Sequence, residues 1–256
     1  MAEGYHAENI TTMEMLTRKS PHGRKLAVVG GGPSVREHLN ELREWGGDIW
    51  AINHTGTFLK KEGINSTFVT VDSGHPSEFI TDGVNNAIMA TCCHPKLKER
   101  FKSCLGFPLI EQDKDGITGG TTTATRMPAL ALMLGYVNIS FFGCESSFNL
   151  SDGDHVDRNE NRPNPLLVRA NGKEYATYLD LVLQAENLAM FMSRVPDMFI
   201  DRSGGLVSAM SADPEGWEVV AVSKDLRDNI ESVSGKCGMY ENPYTPEEYR
   251  IDNARV

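Results

Sequence analysis

The stretch LAVVGGGPSV, residues 26–35, sets four apolar residues of β type directly before three glycines, a proline and a serine. Apolar residues without polar alternation describe a strand buried on both faces, and the glycines describe a turn too tight for side chains. Beyond the turn, Val35, Leu39, Leu42 and Trp45 recur at spacings of 4, 3 and 3, an amphipathic helix that Gly46-Gly47 would end. DIWAIN (48–53) is a second apolar run. Strand, glycine turn, helix, strand is the opening unit of a parallel α/β sheet.

The rhythm continues in both directions from that unit. HTGTFLKKEG (54–63) reads as a short helix, TFVTVD (67–72) as a third strand, Pro76 to Thr81 as a helical turn and NAIMATCC (86–93) as a fourth strand. The polar stretch from Pro95-Lys96 to Gly116 reads as helix and then loop. GITGGTTTATRMPALALMLGY (116–136) leads into a helix that Pro128 would kink and Gly135 would stop. NISFFGCE (138–145) is a central strand, followed by the polar SSFNLSDGDHVDRNENRPNP (146–165), where open α/β sheets place their binding loops. LLVRANGKEYAT (166–177) reads as a hairpin about Asn171-Gly172, Tyr178 to Ser193 as a second amphipathic helix, and DMFIDRSGG (197–205) as a last strand. The expected fold is therefore α/β and Rossmann-like: a mostly parallel sheet flanked by helices, with a small hairpin insertion. Residues 1–24 are expected to form an N-terminal arm, 25–205 the Rossmann-like domain, and 206–256 a weakly structured tail that wraps the domain or contacts a second copy in a homo-oligomer.

Composition narrows the partners. With 40% hydrophobic and 23% charged residues the chain can bury an ordinary core. A net charge of −10 opposes a surface that coats nucleic acid, because backbone binding needs clustered Lys and Arg. Five cysteines without CxxC spacing suggest neither a disulfide framework nor a zinc site, and no run reaches the ~18 apolar residues of a membrane span. These features, with a polar N-terminus unlike a signal peptide, lead to the expectation of a cytoplasmic protein away from membranes.

The glycine turn fails two standard tests. A dinucleotide fingerprint needs GxGxxG and an acid at the end of the second strand to receive ribose hydroxyls; here Val35 takes the third glycine position and Asn53 ends the strand. A Walker loop needs GK[ST] after the glycines, and none follows. What remains is a turn whose backbone can approach a phosphate, with Pro33 setting the first helical turn and Ser34 at its start. The cluster TGGTTTAT (118–125) also opens a helix and forms a second anion cradle on the same sheet edge. The structural alternative is that these threonines cap the helix while the glycines allow close packing.

The segments GGGPSV, the strand ending in Asn53, and GGTTTATRMPALALMLGYVNISFFGCESSF resemble the family that contains archaeal 6-hydroxymethylpterin diphosphokinase and bacterial motility accessory factors. That family is distantly similar to the family-42 bacterial sialyltransferases, in which a similar turn and asparagine contact a cytidine nucleotide. The resemblance covers roughly residues 25–205. DHVDRNENRPN, VRANGKEYAT and LQAENLAMF resemble one branch, with its histidine-containing loop, hairpin and Gln-Ala-Glu helix. It implies a Rossmann-like transferase that takes a nucleotide or nucleotide-sugar as substrate. The implied nucleotide-binding residues are Gly31, Gly32, Pro33, Ser34 and Asn53, with Gly119, Gly120 and Thr121 as the second cradle. Glycosyl transfer is the preferred expectation. Mg²⁺-dependent pyrophosphoryl transfer of the pterin diphosphokinase type is the alternative, and a non-catalytic nucleotide-binding module is a further one.

Candidate catalytic residues are His155, Asp72 and Glu145. His155 stands among acids and can act as a general base, or join Asp152 and Asp154 as a metal ligand; a solvated acidic loop is the bland alternative. Asp72 and Glu145 end strands, where a carboxylate can hold Mg²⁺ against a diphosphate, so Asp72, Asp152 and Asp154 are the candidate metal ligands. Arg126, Arg158 and Arg162 are candidates to neutralise phosphate. Cys144, in an apolar strand, is expected in the core.

Overall fold

The computed structural model of the chain describes residues 2–120, 122–148, 155–156 and 165–222. Along the chain they form α1 (Ala2–Thr12), β1 (Glu14–Met15), β2 (Leu26–Val29), α2 (Leu39–Arg43), β3 (Asp48–Ile52), α3 (Thr55–Lys61), β4 (Thr67–Thr70), β5 (Asn86–Ala90) and β6 (Ser103–Phe107). Then come α4 (Thr123–Met133), β7 (Ile139–Phe142), β8 (Leu166–Ala170), β9 (Lys173–Thr177), α5 (Leu179–Arg194), β10 (Phe199–Asp201), α6 (Gly205–Ala212) and β11 (Trp217–Val222).

Eight strands form one sheet in the order β1-β6-β5-β4-β3-β2-β7-β10, every pairing parallel. The α/β class is as expected, and the uninterrupted apolar runs have the expected cause. Leu26, Ala27, Val28 and Val29 are fully buried because both faces of the sheet are covered. Neighbours in sequence divide between those faces: Phe142 packs with Ala27, Val29, Val35 and Leu42, whereas Phe141 packs with Leu26, Val28, Met127 and Leu130. The strand order reverses at β2, whose neighbours are β3 and β7. Chain segments diverge there at the C-terminal edge and open a crevice, the place where open α/β sheets bind ligands.

A second sheet, β11-β8-β9, is antiparallel. The expected hairpin is its core, and Asn171 (φ 48°) and Gly172 (φ 72°) turn it in the left-handed region that a two-residue loop requires.

Four segments differ from the sequence reading. Residues 103–107, read as helix and loop, are the strand β6: SCLGF is half-exposed at its start, so polar and small residues replace the apolar signature. Residues 1–24, read as an arm, contain α1 and β1, and α1 is fastened by the buried Asn9, whose amide donates to Thr91 O and Cys93 O. The helix predicted over 35–45 is split into a 3₁₀ turn at Pro33–His38 and the short α2. Residues 206–222, placed at the start of a weakly structured tail, run through α6 and β11. Leu206, Val207, Ala209 and Met210 of α6 are buried, a short apolar stripe that the surrounding acids and prolines obscure. α4 runs on through Pro128. Among the described residues no helix is long and apolar enough to cross a membrane.

Candidate functional site

A cleft of about 440 Å³ lies at the crevice between β2 and β7. It is lined by Gly30, Gly31 and Gly32 after β2, Asn53 and His54 after β3, Asp72 after β4, Gly143 to Ser147 after β7, Thr122 to Ala124 at the start of α4, Asp180, Leu181 and Gln184 from α5, and His155. The sequence candidates Gly31, Gly32, Asn53, Asp72, Glu145 and His155 therefore meet in one place. Pro33 and Ser34 stand behind the glycines and do not line it. Gly119 and Gly120 lie beneath the first turn of α4, where a Cβ at Gly120 would stand 2.9 Å from Thr125 Oγ1 and 3.2 Å from Asn187 Cγ; they permit packing. Thr121, Asp152, Asp154, Arg158 and Arg162 lie outside the described residues.

Close backbone approach explains the glycines after β2. Gly30 N donates to Phe142 O and Gly32 N to Gly143 O, both at 2.8 Å, so the turn is stitched to the end of β7. A Cβ on Gly30 would overlap Gly143 O; one on Gly31 would overlap the His155 ring, and one on Gly32 the Glu145 carboxylate. His155 is held over the turn by its neighbour: Val156, buried, donates its N–H to Gly31 O at 2.7 Å and accepts from Arg36 Nη2 at 2.6 Å.

Glu145 is 5% exposed, and its Oε1 accepts from Ser34 N at 2.8 Å. The carboxylate thus sits on the amide at the start of the 3₁₀ turn. Its Oε2 has no hydrogen-bond partner among the described residues, and neither has the buried Ser34 hydroxyl. Burial pushes the Glu145 carboxyl above the usual carboxylate range, against the Ser34 amide, which favours the charged form. Asn53, at φ 50°, likewise carries a buried Oδ1 without a partner among the described residues. Burial, reinforced by Glu145, pushes the Cys144 thiol up, in keeping with a core cysteine.

The wall opposite is built by α4. Thr122 is its N-cap: Oγ1 accepts from Thr125 N at 3.3 Å, and Thr122 N donates back to Thr125 Oγ1 at 3.2 Å. Thr123 Oγ1 accepts from Val71 N at 3.3 Å and ties the helix start to the end of β4. Thr123 and Ala124 both line the cleft, and amides of a first helical turn have no intrahelical acceptor.

Further residues outside the predicted site set shape the cleft. Ser146, buried with φ 54°, accepts at Oγ from Gln184 Nε2 at 3.0 Å and at its carbonyl from Thr177 Oγ1 at 2.7 Å. Gln184 Oε1 in turn accepts from Thr122 Oγ1 at 2.9 Å, so α5 links the two cleft walls. The amides of Leu206 and Val207, in α6, donate to Glu145 O at 2.9 and 3.3 Å. Asn53 and Ser146 are both non-glycine residues held at positive φ, a strain of about 1–3 kcal/mol each that clusters at functional sites. Arg126 does not reach the cleft. It is 6% exposed, donates to Ile117 O at 2.9 Å and pairs with Glu111 at 2.5 Å, so its charge is spent on structure.

Beside the buried Cys144 thiol, the ionisable residues lining the cleft are carboxylates and histidines, Asp72, Glu145, Asp180, His54 and His155, with no Lys or Arg among the described residues. Among the described residues there is also no cluster of three His, Cys, Asp or Glu able to hold a metal alone.

The family model described as 6-hydroxymethylpterin diphosphokinase MptE-like matches residues 4–150, a span that carries α1, the sheet from β1 to β7 and Glu145. No curated protein and no solved structure matches the chain, and the likeness to sialyltransferases has no counterpart among these matches.

Proposed function

The chain belongs to the 6-hydroxymethylpterin diphosphokinase MptE-like family, and from that premise we propose that its cleft transfers a pyrophosphoryl group from a nucleoside triphosphate to a hydroxyl of a small heterocyclic acceptor. The observation that carries this reading is the acidity of the lining: Asp72, Glu145 and Asp180 face the cleft among the described residues. A polyphosphate entering such a cleft is repelled unless a divalent cation accompanies it.

The donor set fits that requirement. Mg²⁺ is held through one or two carboxylates plus substrate phosphates, not by an all-protein cage, and Asp72 lines the cleft. Asp72, exposed at the end of β4, would hold it; its Oδ1 already accepts from Gly74 N at 2.9 Å, which orients the carboxylate. Bound there, the ion would neutralise charge on the phosphate oxygens. Thr123 and Ala124 would receive the phosphates on their amides at the positive end of α4, with the Thr123 hydroxyl beside them.

The chemical step balances simply. The acceptor oxygen bonds to the β-phosphorus, the bond from that phosphorus to the oxygen bridging to the α-phosphorus breaks, and nucleoside monophosphate leaves with the electron pair. The hydroxyl proton passes to His155, the cleft's histidine beside the glycine turn, as general base.

Glycosyl transfer from a nucleotide-sugar is the second reading, supported by the unpartnered acceptor oxygens of Glu145 and Asn53, which suit sugar hydroxyls. Titration with ATP, UDP and CMP, with and without Mg²⁺, separates the two. Pyrophosphoryl transfer expects ATP binding that strengthens about tenfold or more with Mg²⁺ and weakens by a similar factor in Asp72→Asn; tight CMP binding without metal sinks it. His155→Ala should lower turnover by about 10²- to 10⁴-fold with little change in ATP affinity.

A further inference from the structure

The glycine turn has the residues of a phosphate cradle, yet three of its amides are already used. Gly30 N, Gly32 N and Ser34 N donate to Phe142 O, Gly143 O and Glu145 Oε1, each at 2.8 Å. A phosphate placed there would have to expel the Glu145 carboxylate from the Ser34 amide and then lie beside it, two anions in a buried site. What the turn does offer is the reverse of an anion site. Glu145 and Asn53 line the cleft on either side of it, and each holds a buried acceptor oxygen with no donor among the described residues. Buried polar atoms in native proteins are almost always satisfied, and an unpaired pair of acceptors on residues that line a cleft points to a ligand that brings donors.

We infer that the glycine turn is not the phosphate site but the hydroxyl end of the cleft, where Glu145 Oε2 and Asn53 Oδ1 accept hydrogen bonds from the ribose hydroxyls of the nucleotide. Glu145 is then a specificity-determining residue for ribose. The inference rests on the nucleotide reading above and deepens it by fixing the ligand's direction: ribose between β2 and β3, phosphates running to the start of α4. A nucleotide in the opposite direction would set its phosphates against Glu145 and leave the Thr123 and Ala124 amides facing a sugar. The carboxylate also accounts for Gly32, since any Cβ at that position would displace it.

The test uses the full chain and a set of ligands that separates hydroxyls from phosphates. Binding of ATP, GTP, CTP and UTP identifies the best nucleotide. Its 2′-deoxy and 3′-deoxy forms, the corresponding nucleoside with its deoxy forms, and inorganic triphosphate are then titrated against wild type, Glu145→Gln and Glu145→Ala. Glu145→Gln can keep the Ser34 bond through its carbonyl while removing the charge, so it reports on function where the alanine variant fails to fold, and a melting curve shows which have folded. The expected result is a loss of about 10- to 100-fold on removing one ribose hydroxyl in wild type, the strength of a hydrogen bond to a charged group, shrinking to less than about threefold in Glu145→Gln. Inorganic triphosphate should bind the wild type and Glu145→Gln alike. If triphosphate binding instead rises about tenfold or more in Glu145→Gln while the deoxy forms bind as well as the parent, the turn is a phosphate site that Glu145 blocks, and the inference falls. If the nucleoside binds with the same hydroxyl dependence but its triphosphate binds no better, the inference stands and the pyrophosphoryl reading fails. If neither nucleotide nor nucleoside binds, both fall.

Discussion

Two glycine-rich stretches lead from the sheet edge into helical turns on facing walls of one cleft, and they end up chemically opposite. After β2, three of the turn's amides, those of Gly30, Gly32 and Ser34, are taken by the end of β7 and by Glu145. At α4, the cap uses the helix's own threonines, and Thr123 and Ala124 remain on the cleft surface. The difference teaches that glycine and serine at a helix start describe a backbone shape. Whether its donors are open depends on what the rest of the fold places against it, and here a single carboxylate from a distant strand decides.

The contrast can be broken most severely at Gly143, which holds the turn's partner strand at φ 62°. A Cβ there would overlap Val35 Cγ2 and stand 2.7 Å from Gly30 O. Gly143→Ala should cost about 3 kcal/mol, from left-handed strain plus overpacking, read as a shift of the urea midpoint. A smaller effect is expected at the other wall. Thr122→Ala removes the α4 cap and the bond to Gln184, costing about 1 kcal/mol of stability. The same change should weaken inorganic triphosphate binding while leaving nucleoside binding unchanged; equal losses for both would mean the walls do not divide the ligand as described.

Acidity offers a subtler probe. Burial raises the Glu145 pKa above its ordinary 4.5, so the folded state holds this proton more tightly than the unfolded one. Stability from this group is present below that ordinary value and is lost as pH rises through the folded pKa. Wild type should therefore lose stability relative to Glu145→Gln across that rise, measured as urea midpoints from about pH 4 to about pH 8; parallel curves would show that the carboxylate is not desolvated. The smallest effect is expected at Asn53, where glycine relieves the positive φ as it removes the side chain. Asn53→Gly should change stability by less than about 0.5 kcal/mol but reduce the preference for ribose over deoxyribose.

The sheet was readable because burial on both faces leaves a direct mark, as in LAVV and ISFF. β6 left none, since SCLGF lies only partly within the core and its small residues carry no period. The cleft residues at strand ends, Asn53, Asp72 and Glu145, were readable from position: the C-terminal edge of a parallel sheet is where ligands bind. That Glu145 would fill the turn was not readable. The bond to Ser34 spans 111 residues of sequence, and no local pattern records it. Shorter separations, 38 and 31 residues, hid the contacts of Gln184 and Thr177 with Ser146, which arise from the docking of α5 and the hairpin onto the sheet. Arg126 illustrates the converse, a residue whose type suggested phosphate and whose neighbours, Glu111 and Ile117, claimed it for the fold.

The hold of α6 on Glu145 sets an order of events as the chain is made. Synthesis delivers the glycine turn and the strands through β7 first, and domains begin to organise while the remainder is still emerging. The carbonyl of Glu145 nevertheless waits for the amides of Leu206 and Val207. A nascent chain can thus own the sheet from β1 to β7 before α6 arrives to support Glu145.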